Sequence, residues 1–278
     1  MKRYFLALLL SVLTFAGRAQ NWDEIKKNYL LDDLSIYVEK FPVANTNPDR
    51  YSLDNKVYTI NRKFVFDYYI LRKGDTVKIK CPKIGTPDGD FQRDWQFIPK
   101  TTVDSDKIET ISITVLPGIT NTNQTGLKYE YQYHPEVTFD TFRSRSGVIE
   151  NEVNTWMHPH RDKYFMILEL NPFPYIQQPF KKGTRWTWEL QIGDHWRDER
   201  WKMWNGTITN SYDYVITGRQ NLKTPVGDLD CWVVESTATS SIGSTGLTAF
   251  YNENLGFVKL DYRNVDQSKT VITIKAIK

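Results

Sequence analysis

Five tryptophans fall between residues 186 and 204, and they are the densest chemistry in this chain. Trp186 and Trp188 are two apart, so they project from one face of a strand while Thr187 and Glu189 take the other. Trp196, Trp201 and Trp204 follow the Gly193-Asp194 turn. The last two are expected on the returning strand, where a spacing of three lets them share a face only across a bulge. Turned inward, such indoles make a core or the wall of an apolar cavity. Turned outward, they make a flat platform for a sugar or a partner protein. Alternation with Thr187 and Glu189 favours the inward face. Trp232 and Tyr251 supply a candidate second wall. These seven residues form the candidate ligand-binding set, and their role would be stacking and apolar contact.

The other reactive groups form weaker patterns. Asp194, Asp198 and Glu199 flank the Trp cluster and are the first carboxylates to consider for glycoside cleavage, which requires two carboxyls about 5–10 Å apart in space. Solvated charges around a hairpin are the plainer reading. His158 and His160 could ligate a metal from one side, but His134 and His195 are the remaining histidines and no HExxH or Cys/His cluster accompanies them. Asp88-Gly-Asp90-Phe-Gln-Arg-Asp94 alternates carboxylates as a calcium loop does, without the bidentate Glu of an EF-hand. No metal and no cofactor is expected. Ser240-Ser-Ile-Gly-Ser-Thr-Gly246 is a hairpin loop rather than a nucleophile elbow, and no catalytic set emerges. Cys81 and Cys231, the two cysteines, either bridge the halves of the chain or sit as small buried thiols in strands.

The compartment comes from the first nineteen residues. Met1-Lys2-Arg3 is cationic, Tyr4 to Ala16 is almost wholly apolar, and Gly17-Arg18-Ala19 ends in a small residue. This pattern predicts a signal peptide cleaved after Ala19 and a periplasmic or secreted protein. No cysteine follows to carry a lipid there. Its Ala-Gln junction has the style of a Bacteroidetes-type export signal, by analogy. Such a location removes ATP- and NAD-dependent chemistry. The formal charge of +3 includes three basic residues of the leader, so the remaining chain is close to neutral and no nucleic-acid partner is expected. No later apolar run reaches 18 residues, so no membrane span is expected.

The scaffold for these groups has period two. Phe64, Phe66, Tyr68 and Ile70 alternate with a second set, Ile111, Ile113 and Val115 share a face, and so do Leu127, Tyr129, Tyr131 and Tyr133. Tyr164, Met166, Leu168 and Leu170 repeat the pattern, and further runs continue to Ile274. Turn signals at Lys73-Gly74-Asp75, Asn205-Gly206 and Pro225-Val-Gly227-Asp228 separate them. About a dozen short strands predict an all-β antiparallel barrel or sandwich. The exception is Trp22–Lys40, where Trp22, Ile25, Tyr29 and Ile36 follow helical spacing. Three prolines, Pro172, Pro174 and Pro179, make residues 171–183 an extended connector or edge. That connector divides an N-terminal helix-plus-β module (20–170) from a C-terminal β module (184–278), unless both complete one larger barrel.

The C-terminal part resembles a known family. Pro179-Phe-Lys-Lys-Gly183-Thr-Arg-Trp186-Thr-Trp188, Thr224-Pro-Val-Gly227-Asp228-Leu-Asp-Cys231 and Tyr251-Asn-Glu-Asn-Leu-Gly256-Phe-Val-Lys259 resemble motifs of the TapB-like family of exported β-proteins. The likeness spans about residues 175–277, with Trp188, Leu229 and Asn254 departing from the usual pattern. It implies a secreted β fold and carries no catalytic residues with it. The sequence therefore leads to an exported, non-catalytic β-protein that binds an apolar or glycan ligand, or docks an envelope protein, through an aromatic-rich sheet. A secreted glycan-active hydrolase is the first alternative. A structural envelope component docking through the Trp22–Lys40 helix is the second.

Overall fold

A computed structural model describes residues 20–81, 93–118, 123–133 and 142–278. The leader, residues 88–92 of the candidate calcium loop, and His134 lie outside them.

The chain begins with a short helix α1 (Trp22–Lys26), then β1 (Leu30–Leu31) and β2 (Tyr37–Val38), which pair with each other. The expected helix Trp22–Lys40 therefore stops after five residues. Asp32 ends its prospects: its Oδ1 accepts from Leu34 N at 3.0 Å and Ile36 N at 2.8 Å, which turns the chain, and Ser35 adopts φ 60°. Ile36 and Val38 then alternate into the core as strand residues do.

The main sheet is antiparallel throughout. It comprises β3 (Lys63–Arg72), β4 (Asp75–Lys80), β5 (Gln96–Pro99), β6 (Ile108–Leu116), β7 (Thr125–Tyr133), β8 (Phe142–Glu150), β9 (Asn154–Met157) and β10 (Tyr175–Gln177), then β11 (Arg185–Ile192), β12 (Ile208–Thr224), β13 (Gly227–Ser240), β14 (Gly243–Asn252), β15 (Gly256–Arg263) and β16 (Lys269–Ile277). Their order is β10-β9-β8-β7-β6-β3-β16-β15-β14-β13-β12-β11, with β4 and β5 branching from β3. This is the all-β antiparallel fold expected, as a nearly closed barrel. Strands from both sides of the Pro-rich stretch meet where β3 pairs β16. The Lys73-Gly74 signal makes the β3–β4 turn, with φ 50° and 89° at those residues.

The ring stops short of closure between β10 and β11, which make no ladder. Prolines 172, 174 and 179 account for β10 being a three-residue edge. Side chains bridge the seam instead: Tyr175 meets Trp186 edge-on at 5.6 Å, and Phe173 meets Trp188 at 5.2 Å.

The interior is filled by the chain itself. Lys163–Leu170, expected as a strand, is a 3-10 helix with all eight residues buried. Apolar residues occupy both of its alternating sets, since Phe165 and Ile167 intercalate Tyr164, Met166 and Leu168, so a buried helical segment fits as well as a strand. Phe165 packs on Tyr68 of β3 and Tyr131 of β7, the Tyr164 hydroxyl bonds Thr270 of β16, and Leu170 O accepts from Asn210 of β12 and Thr245 of β14. Strands around the ring thus grip one internal plug.

Candidate functional site

Four of the five clustered tryptophans are core. β11 alternates as the sequence implied, with Trp186 and Trp188 buried and Thr187 and Glu189 exposed. The hairpin partner is β12, and it supplies tyrosines: Trp186 stacks on Tyr214 at 5.2 Å and Trp188 on Tyr212 at 4.8 Å. Trp201 and Trp204 do not lie on the returning strand, which starts at Ile208. They are buried in the preceding loop, where Trp201 stacks on Trp95 at 6.2 Å. Trp196 is half-buried beside His195 and under Arg161. None of these five lines the concave site described below.

The carboxylates beside the cluster are structural. Asp198 is buried in a two-point pair with Arg200, at 2.8 and 2.6 Å, and that guanidinium lies 3.6 Å over Trp95. Burial acts against the Asp198 charge, but the Arg200 hydrogen bonds outweigh it and hold the carboxyl below its ordinary value. Asp194 accepts from Arg197 and Gly206 N, and Glu199 points to solvent. His158 and His160 are packed among aromatic rings, and burial lowers both to about 3, so they stay neutral. Cys81 and Cys231 do not bridge. Both are free and buried, because Cys81 follows the β4 branch while Cys231 lies within the β12–β13 ladder.

A cleft of about 540 Å³ opens at one end of the barrel. Of the seven candidate residues, Tyr251 lines it and Trp232 packs at its rim. Tyr251 sits at the bulge near the end of β14, and its hydroxyl shares a 3.1 Å hydrogen bond with Thr155 of β9. Phe180, just beyond β10, packs edge-on against Tyr251 at 5.5 Å and reaches Trp232 at 6.2 Å. Trp22 and Tyr29 of the N-terminal segment complete the aromatic lining. The Trp232 indole donates to Glu253 at 2.9 Å and lies under the Arg219 guanidinium.

Five carboxylates share this cleft with one lysine, Lys56. Glu150, at the end of β8, is a structural anchor: its oxygens accept from the backbone N–H groups of Lys56, Val57 and Tyr58 at 2.8–3.2 Å. That clamp fixes the 51–58 segment as a wall. Asn151 in the β8–β9 turn and Asn154 at the start of β9 fix the opposite wall by donating to Tyr37 O at 2.8 and 3.1 Å. Glu39 follows β2 and is half-buried. Burial raises its carboxyl to about 7, with the charges of Asp54 and Glu150 adding to the rise and an Asn151 hydrogen bond opposing it. Burial and the Glu152 charge also raise the Tyr29 hydroxyl. Asp54, Glu152 and Glu253 stand exposed on the rim.

Sequence reasoning missed all five acids, because they come from four separate segments and no short motif joins them. The one local signal is Glu150-Asn-Glu152, a pair of carboxylates astride a strand turn.

No family model matches the chain, and no curated protein matches its sequence. Among solved structures, it is similar to a candidate lipoprotein from Parabacteroides distasonis at 12% identity and TM-score 0.45, covering 80% of this chain and 97% of that one. It is also similar to a candidate exported protein with a YmcC-like fold from Bacteroides fragilis, at 12% identity and TM-score 0.41, covering 79% and 96%. The hypothetical lipoprotein YmcC from Escherichia coli gives 12% identity and TM-score 0.29, covering 85% and 97%. No helix of the described residues is long and apolar enough to cross a membrane.

Proposed function

We propose that this is an exported, non-catalytic glycan-binding protein whose site is the cleft bounded by Phe180, Tyr251 and the rim carboxylates. The observation that carries it is a concave surface combining ring faces with many hydrogen-bond acceptors, which is what sugar hydroxyls and C–H faces require. An apolar ligand fits less well, since it would desolvate carboxylates without pairing them. The barrel interior offers no rival site where its plug fills it. The N-terminal leader pattern supports action outside the cytoplasm. Titration calorimetry against a panel of soluble oligosaccharides tests this reading. Binding that disappears in Phe180→Ala supports it, and no binding to any panel member refutes it.

Glu39 favours a second reading, glycoside hydrolysis. A carboxyl held protonated to about 7 beside other carboxylates is the environment of a general acid. The same panel, followed for reducing ends, separates the two. Turnover abolished by Glu39→Gln would make the protein an enzyme.

A further inference from the structure

The rim of the cleft continues into a two-stranded arm, whose polar face deepens the glycan reading on which this inference rests. β11 pairs β12 only as far as Val215, and β14 pairs β13 only as far as Trp232. Among the described residues, Gln220–Thr224 and Gly227–Cys231 therefore have each other as their sole strand partners. Such a ribbon carries the hairpin about 17 Å beyond its last neighbours. Residues directly opposite in a ladder share a face. One face of the arm carries Arg219 with Trp232, Asn221 with Asp230, and Lys223 with Asp228, whereas Leu222 and Leu229 lie on the other. The first face is continuous with the cleft. Trp232 packs on Phe180 at 6.2 Å and donates to Glu253, both of which line the cleft. Arg219 lies 4.7 Å over the Trp232 ring and donates to Asp230 at 3.1 Å. Beyond Trp232 every side chain of this face is exposed, and its two cations balance its two acids. A neutral sugar chain meets no net charge there, and Asn221, Lys223 and Asp228 supply both donors and acceptors for its hydroxyls. We infer that the cleft holds one end of an oligosaccharide and that Asn221, Lys223 and Asp228 bind its outer sugars. The ligand class is then an extended neutral glycan chain rather than a mono- or disaccharide.

The test compares the disaccharide with the hexasaccharide in three neutral series: β-1,4-glucose, β-1,4-N-acetylglucosamine and α-1,4-glucose. Each is titrated calorimetrically into the full chain. In a series that binds, the hexasaccharide should bind at least tenfold more tightly, about 1.4 kcal/mol. The Asn221→Ala/Lys223→Ala double variant, at two exposed positions of a self-paired hairpin, should remove that preference. Gln220→Ala, on the opposite face, should leave it intact. Phe180→Ala should weaken both lengths together. Equal affinity for the two lengths overturns the inference and leaves the glycan reading standing. A preference that survives the double variant also overturns it, since repeated disaccharide units along the chain would then account for it. No binding in any series overturns the inference, and the wider oligosaccharide panel then decides whether the glycan reading falls with it.

Discussion

Replacing Trp188 by alanine separates a core cluster from a binding platform. The ring is 4% exposed, stacks on Tyr212 at 4.8 Å, and meets Phe173 at 5.2 Å and Trp156 at 6.0 Å. Its indole N–H also donates to Leu34 O, which ties the N-terminal hairpin to the barrel seam. Deleting a buried Trp costs ~3–5 kcal/mol. Losing the Leu34 bond adds ~1 kcal/mol. The expected loss is therefore ~4–6 kcal/mol, and a urea slope on the order of 3 kcal/mol/M turns it into a midpoint shift of more than 1 M. The assay is urea unfolding followed by far-UV circular dichroism, with Trp232→Ala in parallel. Trp232 is half-exposed at the cleft rim, so its loss should cost about 1 kcal/mol or less. If Trp188→Ala does not fold, Trp188→Phe keeps part of the ring contact and should fall between the two. Equal, small losses at both positions would refute the division of these aromatics into seam and rim.

Three more outcomes follow from the same geometry. Glu39 holds its proton to about 7 in the fold against an ordinary value of 4.5, so the folded form binds that proton more tightly than the unfolded chain. Its contribution is full below pH 4.5 and is lost as pH rises to about 7, by on the order of 1–3 kcal/mol. Glu39→Gln should flatten that part of a stability–pH profile, and an unaltered profile contradicts the assignment. Burial pushes Cys81 up to about 12 and Cys231 up to about 11, so a disulfide reagent such as DTNB should titrate neither thiol in native protein and both after denaturation. Rapid native labelling of either would argue against burial. Glu150→Ala removes the acceptor of three backbone N–H groups, at a cost of ~2–4 kcal/mol. Amide exchange at residues 56–58 should then accelerate at least tenfold, and unchanged protection would show that the clamp does not hold that wall.

Periodicity carried most of the scaffold. Alternation along β3, β6 and β7 marked strands correctly, because a sheet with one face on a core enforces it. It failed at Tyr164–Leu170, where burial on every side removes the polar face that would reveal the period. It failed again at Trp22–Lys40, where the Asp32 turn overrides a helical spacing of apolar residues. Density of one residue type was a poor guide to the site. Trp186 and Trp188 bridge the barrel seam, and Trp201 and Trp204 are buried in the loop before β12, whereas the cleft gathers Glu39, Phe180 and Tyr251 from positions more than two hundred residues apart at the extremes. Residues brought together only by ring closure leave no mark on local sequence.

The pairing of β3 with β16 has a kinetic consequence. Every other neighbour in the path from β6 to β10, and from β11 to β16, joins strands adjacent along the chain. Phe66 and Ile274, by contrast, are roughly 200 residues apart. Bringing them together costs on the order of 3 kcal/mol more closure entropy than folding a ten-residue hairpin. Two meanders can therefore zip early, each from its own hairpins, while the joint between them waits. Until it forms, the plug at Lys163–Leu170 lacks the β16 side of its enclosure. Its apolar residues stay partly wet during that interval, and a joint of such sequence separation slows folding relative to the local hairpins on either side.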